Sequence, residues 1–217
     1  MAPPFIVYTD LDGTLLDHDS YDWSPAAEML SRLGALGVPV VIVTSKTRPE
    51  VLALREAIGN AHPFIVENGA VTLIPEGYFD GDRIAASDAG APLAVHRAGP
   101  PQSQLLALAA ALREREGFRF RTFTELGSDV VAALTGLPPA AAALANRREG
   151  SEPLLWEDSE AALRVMREAL EDRGLACVRG GRFVHVMGPT DKAAAVAALH
   201  DRFERCAGTR LERIVLG

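Results

Sequence analysis

The sequence predicts an α/β fold, a parallel-sheet core with a mixed α and β region inserted into it, and three observations predict it. The first is a run of five β-formers, Phe5–Thr9, that delivers Asp10-Leu11-Asp12-Gly13-Thr14 at its carboxyl end. The second is a return to an all-apolar strand over residues 38–43 after one helix, ending in Thr44-Ser45-Lys46-Thr47 before a helix opened by Pro49. The third is a change of pattern near Ile84 that lasts to Met187, where short strands and helices alternate as an open-faced sheet covered by helices requires. Residues 1–83 and 188–217 are thus expected as the core and 84–187 as the insertion.

Taken in order, the first strand leads into a polar loop, Asp17-His18-Asp19-Ser20-Tyr21-Asp22-Trp23, which is either a solvated turn or a metal cluster. Ser24 is placed to cap, and Pro25 to open, a helix reaching to about residue 36, and Gly37 ends it. A helix over 50–58 and a strand over 64–66 follow. Glu67-Asn68-Gly69-Ala70 then turns the chain into a strand over 71–74. Residues 85–92 read as a linker, and Leu93-Ala94-Val95-His96 as the start of a new sheet. Inside the insertion the periodicity predicts a helix over 102–116, a strand over 118–123 and two helices flanking Thr135-Gly136-Leu137-Pro138-Pro139. A strand over 153–156, a helix over 159–173 and strands over 175–178 and 182–186 complete it. A helix over 193–205 and a strand over 213–217 return to the core.

The chemistry gathers at the strand ends, where open α/β sheets keep their sites. Residues i and i+2 of a strand point the same way, so Asp10 and Asp12 can address one ligand, with the turn at Gly13 separating them into two roles. The Asp10 carboxylate is a competent nucleophile toward phosphorus. Asp12 is the expected general acid and base, its proton affinity raised by its neighbour. Two anions beside a phosphate need a cation, and Mg2+, held by Asp10 and Asp12, suits carboxylate, water and phosphate oxygens. The plainer alternative is an Asp-Gly turn closing a hairpin. Thr44, with Ser45 and Lys46 beside it, forms a phosphate cradle at a helix start or else caps that helix. Lys192 opposes the helix dipole from a first turn, which points to another task unless it is a solvated surface lysine.

Asp10-Leu11-Asp12-Gly13-Thr14-Leu15-Leu16 after an apolar strand resembles the first motif of the haloacid dehalogenase superfamily, most of whose members are magnesium-dependent phosphatases. The resemblance implies a Rossmann-like core and an inserted α+β cap, with Thr44 as the second motif and Lys192 as the third. Glu67-Asn68-Gly69 resembles a turn near the site in members with a large cap, although a hairpin needs no more than such a turn. Leu134-Thr135-Gly136-Leu137, residues 145–154 and Gly180-Gly181-Arg182-Phe183-Val184-His185 resemble the mannosyl-3-phosphoglycerate phosphatases, which release phosphate to give mannosylglycerate, a compatible solute. Such a substrate carries two anionic groups and many hydroxyls. Arg182, entered through Gly180 and Gly181, suits a bidentate contact to the glycerate carboxylate. His185 is either a substrate residue or strand packing, and Arg148 either a ligand or half of a surface pair with Glu149. The superfamily's fourth motif, an acidic loop after the strand that 213–217 resembles, is not in this sequence, so a longer enzyme is expected. A catalytically weak phospho-ligand binding protein, and a phosphotransferase, are the alternatives.

Composition bounds the rest. With 48% hydrophobic residues the chain can build a sizeable interior, and a net charge of −7 argues against a nucleic-acid surface. The absence of a membrane-length apolar run, and a start, Met1-Ala2-Pro3-Pro4, without basic residues, make the cytoplasm the expected location. Cys177 and Cys206 fit no metal spacing and are expected as buried free thiols. The expected partner is a small phosphorylated sugar, with the chain a monomer or homodimer and neither nucleic acid nor membrane involved.

Overall fold

In a computed structural model, residues 3, 5–17, 20–80, 83–84 and 91–217 are described. The chain begins β1 (Phe5–Thr9), α1 (Ala27–Ala35), β2 (Val40–Val43), α2 (Arg48–Ala57), β3 (Phe64–Val66) and β4 (Val71–Pro75). Next come β5 (Phe79–Asp80), β6 (Arg83–Ile84), β7 (Leu93–Arg97), α3 (Gln102–Glu116), β8 (Phe120–Thr122), α4 (Phe123–Thr135) and α5 (Pro139–Ala145). It closes with β9 (Ser151–Trp156), α6 (Glu160–Glu171), β10 (Ala176–Gly180), β11 (Phe183–Met187), α7 (Lys192–Ala207) and β12 (Glu212–Leu216). The fold is α/β, with a mixed, largely parallel core sheet, and the chain divides into two units.

The first unit comprises Met1–Ser45, Val51–His96 and Asp191–Gly217. Its six-stranded sheet has the order β12-β1-β2-β3-β4-β7. β1 runs parallel to both β12 and β2, β2 parallel to β3, and β3 antiparallel to β4. Alternation assigns each residue of β1 to a face. Ile6 and Tyr8 join Val41, Val43 and Ile65 against Val196, Leu199 and Phe203 of α7. Val7, with Val40 and Val38, meets Leu30 and Leu33 of α1. A sheet buried on both faces needs apolar residues at consecutive positions, which is why the strands read as unbroken apolar runs. Arg55 of α2, 1% exposed, lies over the Phe64 ring at 4.3 Å and donates to the His62 carbonyl at 2.8 Å, holding α2 to the start of β3.

The second unit comprises Lys46–Glu50 and Arg97–Thr190. Its four strands, in the order β10-β11-β9-β8, are antiparallel throughout. α3 and α6 cover one face through Leu105, Leu112, Leu163, Met166 and Leu170, which pack on Leu154, Val184 and Val186. Phe123, Leu126, Val131 and Ala142 of α4 and α5 cluster with Leu155 and Phe183.

Three sequence expectations change. Leu93-Ala94-Val95-His96 starts no new sheet: β7 joins the core sheet beside β4, and the Pro92 carbonyl accepts from Glu76 N at 2.8 Å. Phe123 opens α4 rather than ending a strand, because Thr122 and Glu125 form a capping box there. Ser24 does not cap α1. Its hydroxyl donates to Asp22 Oδ2 and its N–H to Asp22 Oδ1, and it lies within a 3-10 turn ahead of the helix. Of the expected linker, residues 85–90 lie outside the described ones. Cys177 and Cys206 are buried and form no disulfide. No described helix is long and apolar enough to cross a membrane.

Candidate active site

β1 ends by handing Asp10 to the rim of the core sheet. Asp10 N donates to the Leu216 carbonyl at 3.0 Å, so β12 extends its pairing to this residue. Asp10 Oδ1 accepts from Leu11 N at 2.7 Å, and Lys192 Nζ stands 2.5 Å from Oδ2. Both side chains are about one-third exposed, open enough for a ligand to reach the carboxylate. Beyond it the chain turns through Gly13 at φ 72°, and Thr14 N and Leu16 N both donate to the Leu11 carbonyl. The turn expected at Gly13 is closed by these backbone groups. It leaves Asp12 exposed.

Thr44 follows β2, fully buried, its N–H donating to the Ile65 carbonyl at 2.9 Å. Its carbonyl accepts from Asn68 N at 3.0 Å, which ties it to the β3–β4 turn. That turn is strained: Glu67 and Asn68 have φ of 54° and 58°, in the left-handed region that costs an L-residue about 1–2 kcal/mol. Glu67 is buried and Asn68 half-buried. Gly69 follows at φ 98°, where a Cβ would stand 2.3 Å from the Asp191 carbonyl oxygen. Asp191 caps α7 by accepting from Ala194 N at 2.7 Å, and Lys192 is the helix's first residue. One turn therefore touches both Thr44 and the residue that aims Lys192. Ser45 and Lys46 follow Thr44, each half-buried.

The remaining predicted residues lie in the second unit. His185 on β11 is buried, its Nδ1 without a hydrogen-bond partner, and Gly180 packs against the ring, leaving 3.2 Å between Nε2 and a built Cβ. Burial, with the Arg148 charge nearby, lowers its pKa to about 4, so the imidazole is neutral at neutral pH. Arg148 Nη1 donates to Ser151 Oγ at 3.1 Å. Glu149 lies between Arg48 Nε at 2.7 Å and Arg97 Nη2 at 3.1 Å. Gly181 takes φ 59° at the β10–β11 turn, and exposed Arg182 donates to the Leu134 carbonyl at the end of α4. Glu152 is fully buried and its pKa is raised by desolvation, although Gln102 Nε2 at 2.6 Å and Thr124 N at 3.0 Å donate to it.

Sequence reasoning gave no role to Tyr8, His200 or Asp191, and placed Gly69 only within a turn near the site. Tyr8 OH meets His200 Nδ1 at 3.2 Å across the β1–α7 interface. The available signal was spacing: Tyr8 is two before Asp10 on a strand and His200 eight after Lys192 on a helix, each on its partner's side.

The Asp10 carboxylate, about one-third exposed, and the Asp12 backbone carbonyl stand at one strand end. These hard oxygen donors fit a magnesium ion that keeps positions for water and phosphate. Among the described residues no group of three His, Cys, Asp or Glu side chains could hold a metal, and of the loop cluster His18 and Asp19 lie outside those residues. Asp17 and Asp22 are turn formers: Asp17 Oδ1 accepts from Ser20 N at 2.9 Å and Asp22 from Ser24.

Residues 7–89, which carry Asp10, Asp12, Thr44 and the Glu67-Asn68-Gly69 turn, match the family model of the haloacid dehalogenase-like hydrolases. Solved structures extend the likeness of fold over nearly the whole chain. A haloacid dehalogenase superfamily phosphatase from Bacteroides thetaiotaomicron is 17% identical, with 97% of this chain and 76% of that one covered and a TM-score of 0.65. A subclass IIB sugar phosphatase of the same superfamily is 18% identical, with 97% and 79% covered and a TM-score of 0.55. A Thermoplasma acidophilum protein is 21% identical, with 98% and 76% covered and a TM-score of 0.60.

Proposed function

We propose that the chain is a magnesium-dependent phosphatase of a phosphorylated sugar-glycerate, mannosyl-3-phosphoglycerate in particular, working through an aspartyl-phosphate. The observation that carries the reading is Asp10 at the carboxyl end of β1 with Lys192 Nζ at 2.5 Å from Oδ2, Asp10 lying within the segment 7–89 that is haloacid dehalogenase-like in sequence. A carboxylate held open beside a fixed ammonium is arranged to receive a phosphoryl group and to offset its charge.

In this reading an Asp10 oxygen attacks phosphorus and the ester C–O–P linkage breaks at its P–O bond. Asp12 gives its proton to the departing sugar-glycerate oxygen. It then takes a proton from water as that water attacks the acyl phosphate, which releases inorganic phosphate and restores the Asp10 carboxylate. Thr44, Ser45 and Lys46 cradle the phosphoryl oxygens, and Lys192 stays against them through both steps. The Asp10 carboxylate and the Asp12 backbone carbonyl would hold a magnesium ion, which would supply charge neutralisation for the phosphoryl oxygens. Glu67 and Asn68 stand at the same sheet end, while Arg148, Gly181, Arg182 and His185 serve the glycerate and sugar groups. The likeness of fold to a sugar phosphatase supports the phosphosugar class of substrate.

The test is phosphate release from mannosyl-3-phosphoglycerate by the purified chain, with magnesium and with a chelator, beside the Asp10→Asn variant. The expected result is magnesium-dependent release that Asp10→Asn lowers by about 10⁴-fold or more. Full activity in Asp10→Asn would overturn the mechanism, and release from other phosphosugars alone would overturn the substrate.

A further inference from the structure

Two cross-links join β1 to α7, and the chemistry proposed above uses only one. At the strand end, Lys192 meets Asp10. Two residues back along β1 and eight on along α7, Tyr8 OH lies 3.2 Å from His200 Nδ1, with Tyr8 fully buried and His200 6% exposed. His200 Nε2 faces two acceptors, the Leu211 carbonyl at 3.1 Å and Glu204 Oε1 at 3.8 Å, and so carries a proton. In the neutral ring Nδ1 is then the acceptor, and Tyr8 O–H donates to it. Burial pushes the Tyr8 phenol above its ordinary range and keeps that proton in place. Leu211 N donates to Glu204 Oε1 at 2.9 Å, so the same helical turn also holds the chain entering β12.

The two links are coupled by geometry. Tyr8 and Asp10 point to one side of β1, and both line a cavity with Lys192 and Val196. Residues 192, 196 and 200 share one face of α7. A roll or slide of the helix that takes His200 from Tyr8 therefore takes Lys192 from Asp10. The rest of that face, Val196, Leu199 and Phe203, is apolar. Apolar burial supplies attraction without direction, whereas a buried hydrogen bond has a preferred geometry and a cost when unmade.

We propose that Tyr8 and His200 are a positioning pair: their hydrogen bond sets the register and roll of α7 on β1 and thereby the place of the Lys192 ammonium at the Asp10 carboxylate. The consequence for catalysis rests on the phosphatase reading; the geometric role does not. The sequence contains two lysines, Lys46 and Lys192, so protein labelled with ¹⁵N-lysine gives two side-chain ammonium resonances, assigned with Lys46→Arg.

At one pH, Tyr8→Phe is expected to move the Lys192 resonance toward that of free lysine and leave Lys46 in place. It is also expected to lower kcat about tenfold with KM unchanged. His200→Asn, whose Oδ1 can stand where Nδ1 stood, is expected to lie nearer wild type than His200→Leu on both readouts. A folded Tyr8→Phe protein with a wild-type Lys192 resonance overturns the pair. So does His200→Asn behaving as His200→Leu does. If His200→Leu fails to fold, Tyr8→Phe and His200→Asn decide. If wild type releases no phosphate, the phosphatase reading falls, and a shifted or unshifted resonance still supports or overturns the positioning role.

Discussion

Lys192 is the residue whose removal separates structure from chemistry most cleanly. Its ammonium stands 2.5 Å from Asp10 Oδ2 on a side chain about one-third exposed, so solvent screens much of the pair and its share of folding stability is small. In the proposed phosphatase its value lies in a charge already in place when a phosphoryl group arrives. Lys192→Met, which keeps the stem and loses the charge, is expected to leave the thermal midpoint nearly unchanged and to cut kcat by about 10²–10³-fold. A midpoint that collapses, or turnover that persists, would show the contact to be architectural. Asp10 and Lys192 were both readable in the sequence for the same reason: each breaks a local rule. Two carboxylates stand at the end of an apolar strand, and a cation stands in the first turn of a helix. Tyr8 and His200 break no such rule and become a pair only when residues 192 positions apart meet.

At the scale of elements, the β3–β4 turn does more than reverse the chain. Gly69 has the Asp191 carbonyl against it, so no side chain fits without moving the start of α7, and φ 98° strains any L-residue there. Gly69→Ala is therefore expected to cost roughly 2–4 kcal/mol in urea unfolding. It should also slow phosphate release in the protein that remains folded, because Lys192 follows Asp191. Unaltered stability would mean that the two backbones are not bound to this approach. Strands and helices were legible because their apolar periods are local, and α3 falls over 102–116 as its pattern predicts. Which sheet a strand joins is not local. Leu93–Arg97 reads the same whether it starts a sheet or borders one, and its pairing beside β4, with the Glu76 to Pro92 hydrogen bond, places it. The Ser24 cap failed for a related reason: Asp22, two residues earlier, takes both its N–H and its hydroxyl.

At the scale of the whole molecule, each unit holds a largely desolvated imidazole in its neutral form. Desolvation lowers His62 to about 4, with Arg55 adding to the effect, and lowers His185 likewise, with Arg148 adding. In the unfolded chain both return toward 6.5, so protons bind the unfolded state more tightly. Stability is full above about pH 6.5 and declines as pH falls toward 4. The loss approaches about 3 kcal/mol for each histidine, and below 4 it grows no further. Urea midpoints measured at pH 7 and pH 4.5 should differ in wild type and differ less in the His62→Asn, His185→Asn double variant. Equal slopes would place the acid sensitivity elsewhere.

The parallel pairing of β1 with β12 also has a consequence for how the protein is made. Phe5 to Thr9 register against Glu212 to Leu216, so the strand that carries Asp10 gains its second neighbour only when the intervening chain has been spanned. Closing so long a loop yields no contact until it is nearly complete, and contacts of this kind slow folding. The second unit has no such debt, since β8 to β11 pair within one stretch of sequence. Refolding should therefore assemble that unit before the strand that carries Asp10 is flanked on both sides, leaving the candidate site among the last parts of the molecule to acquire its native surroundings.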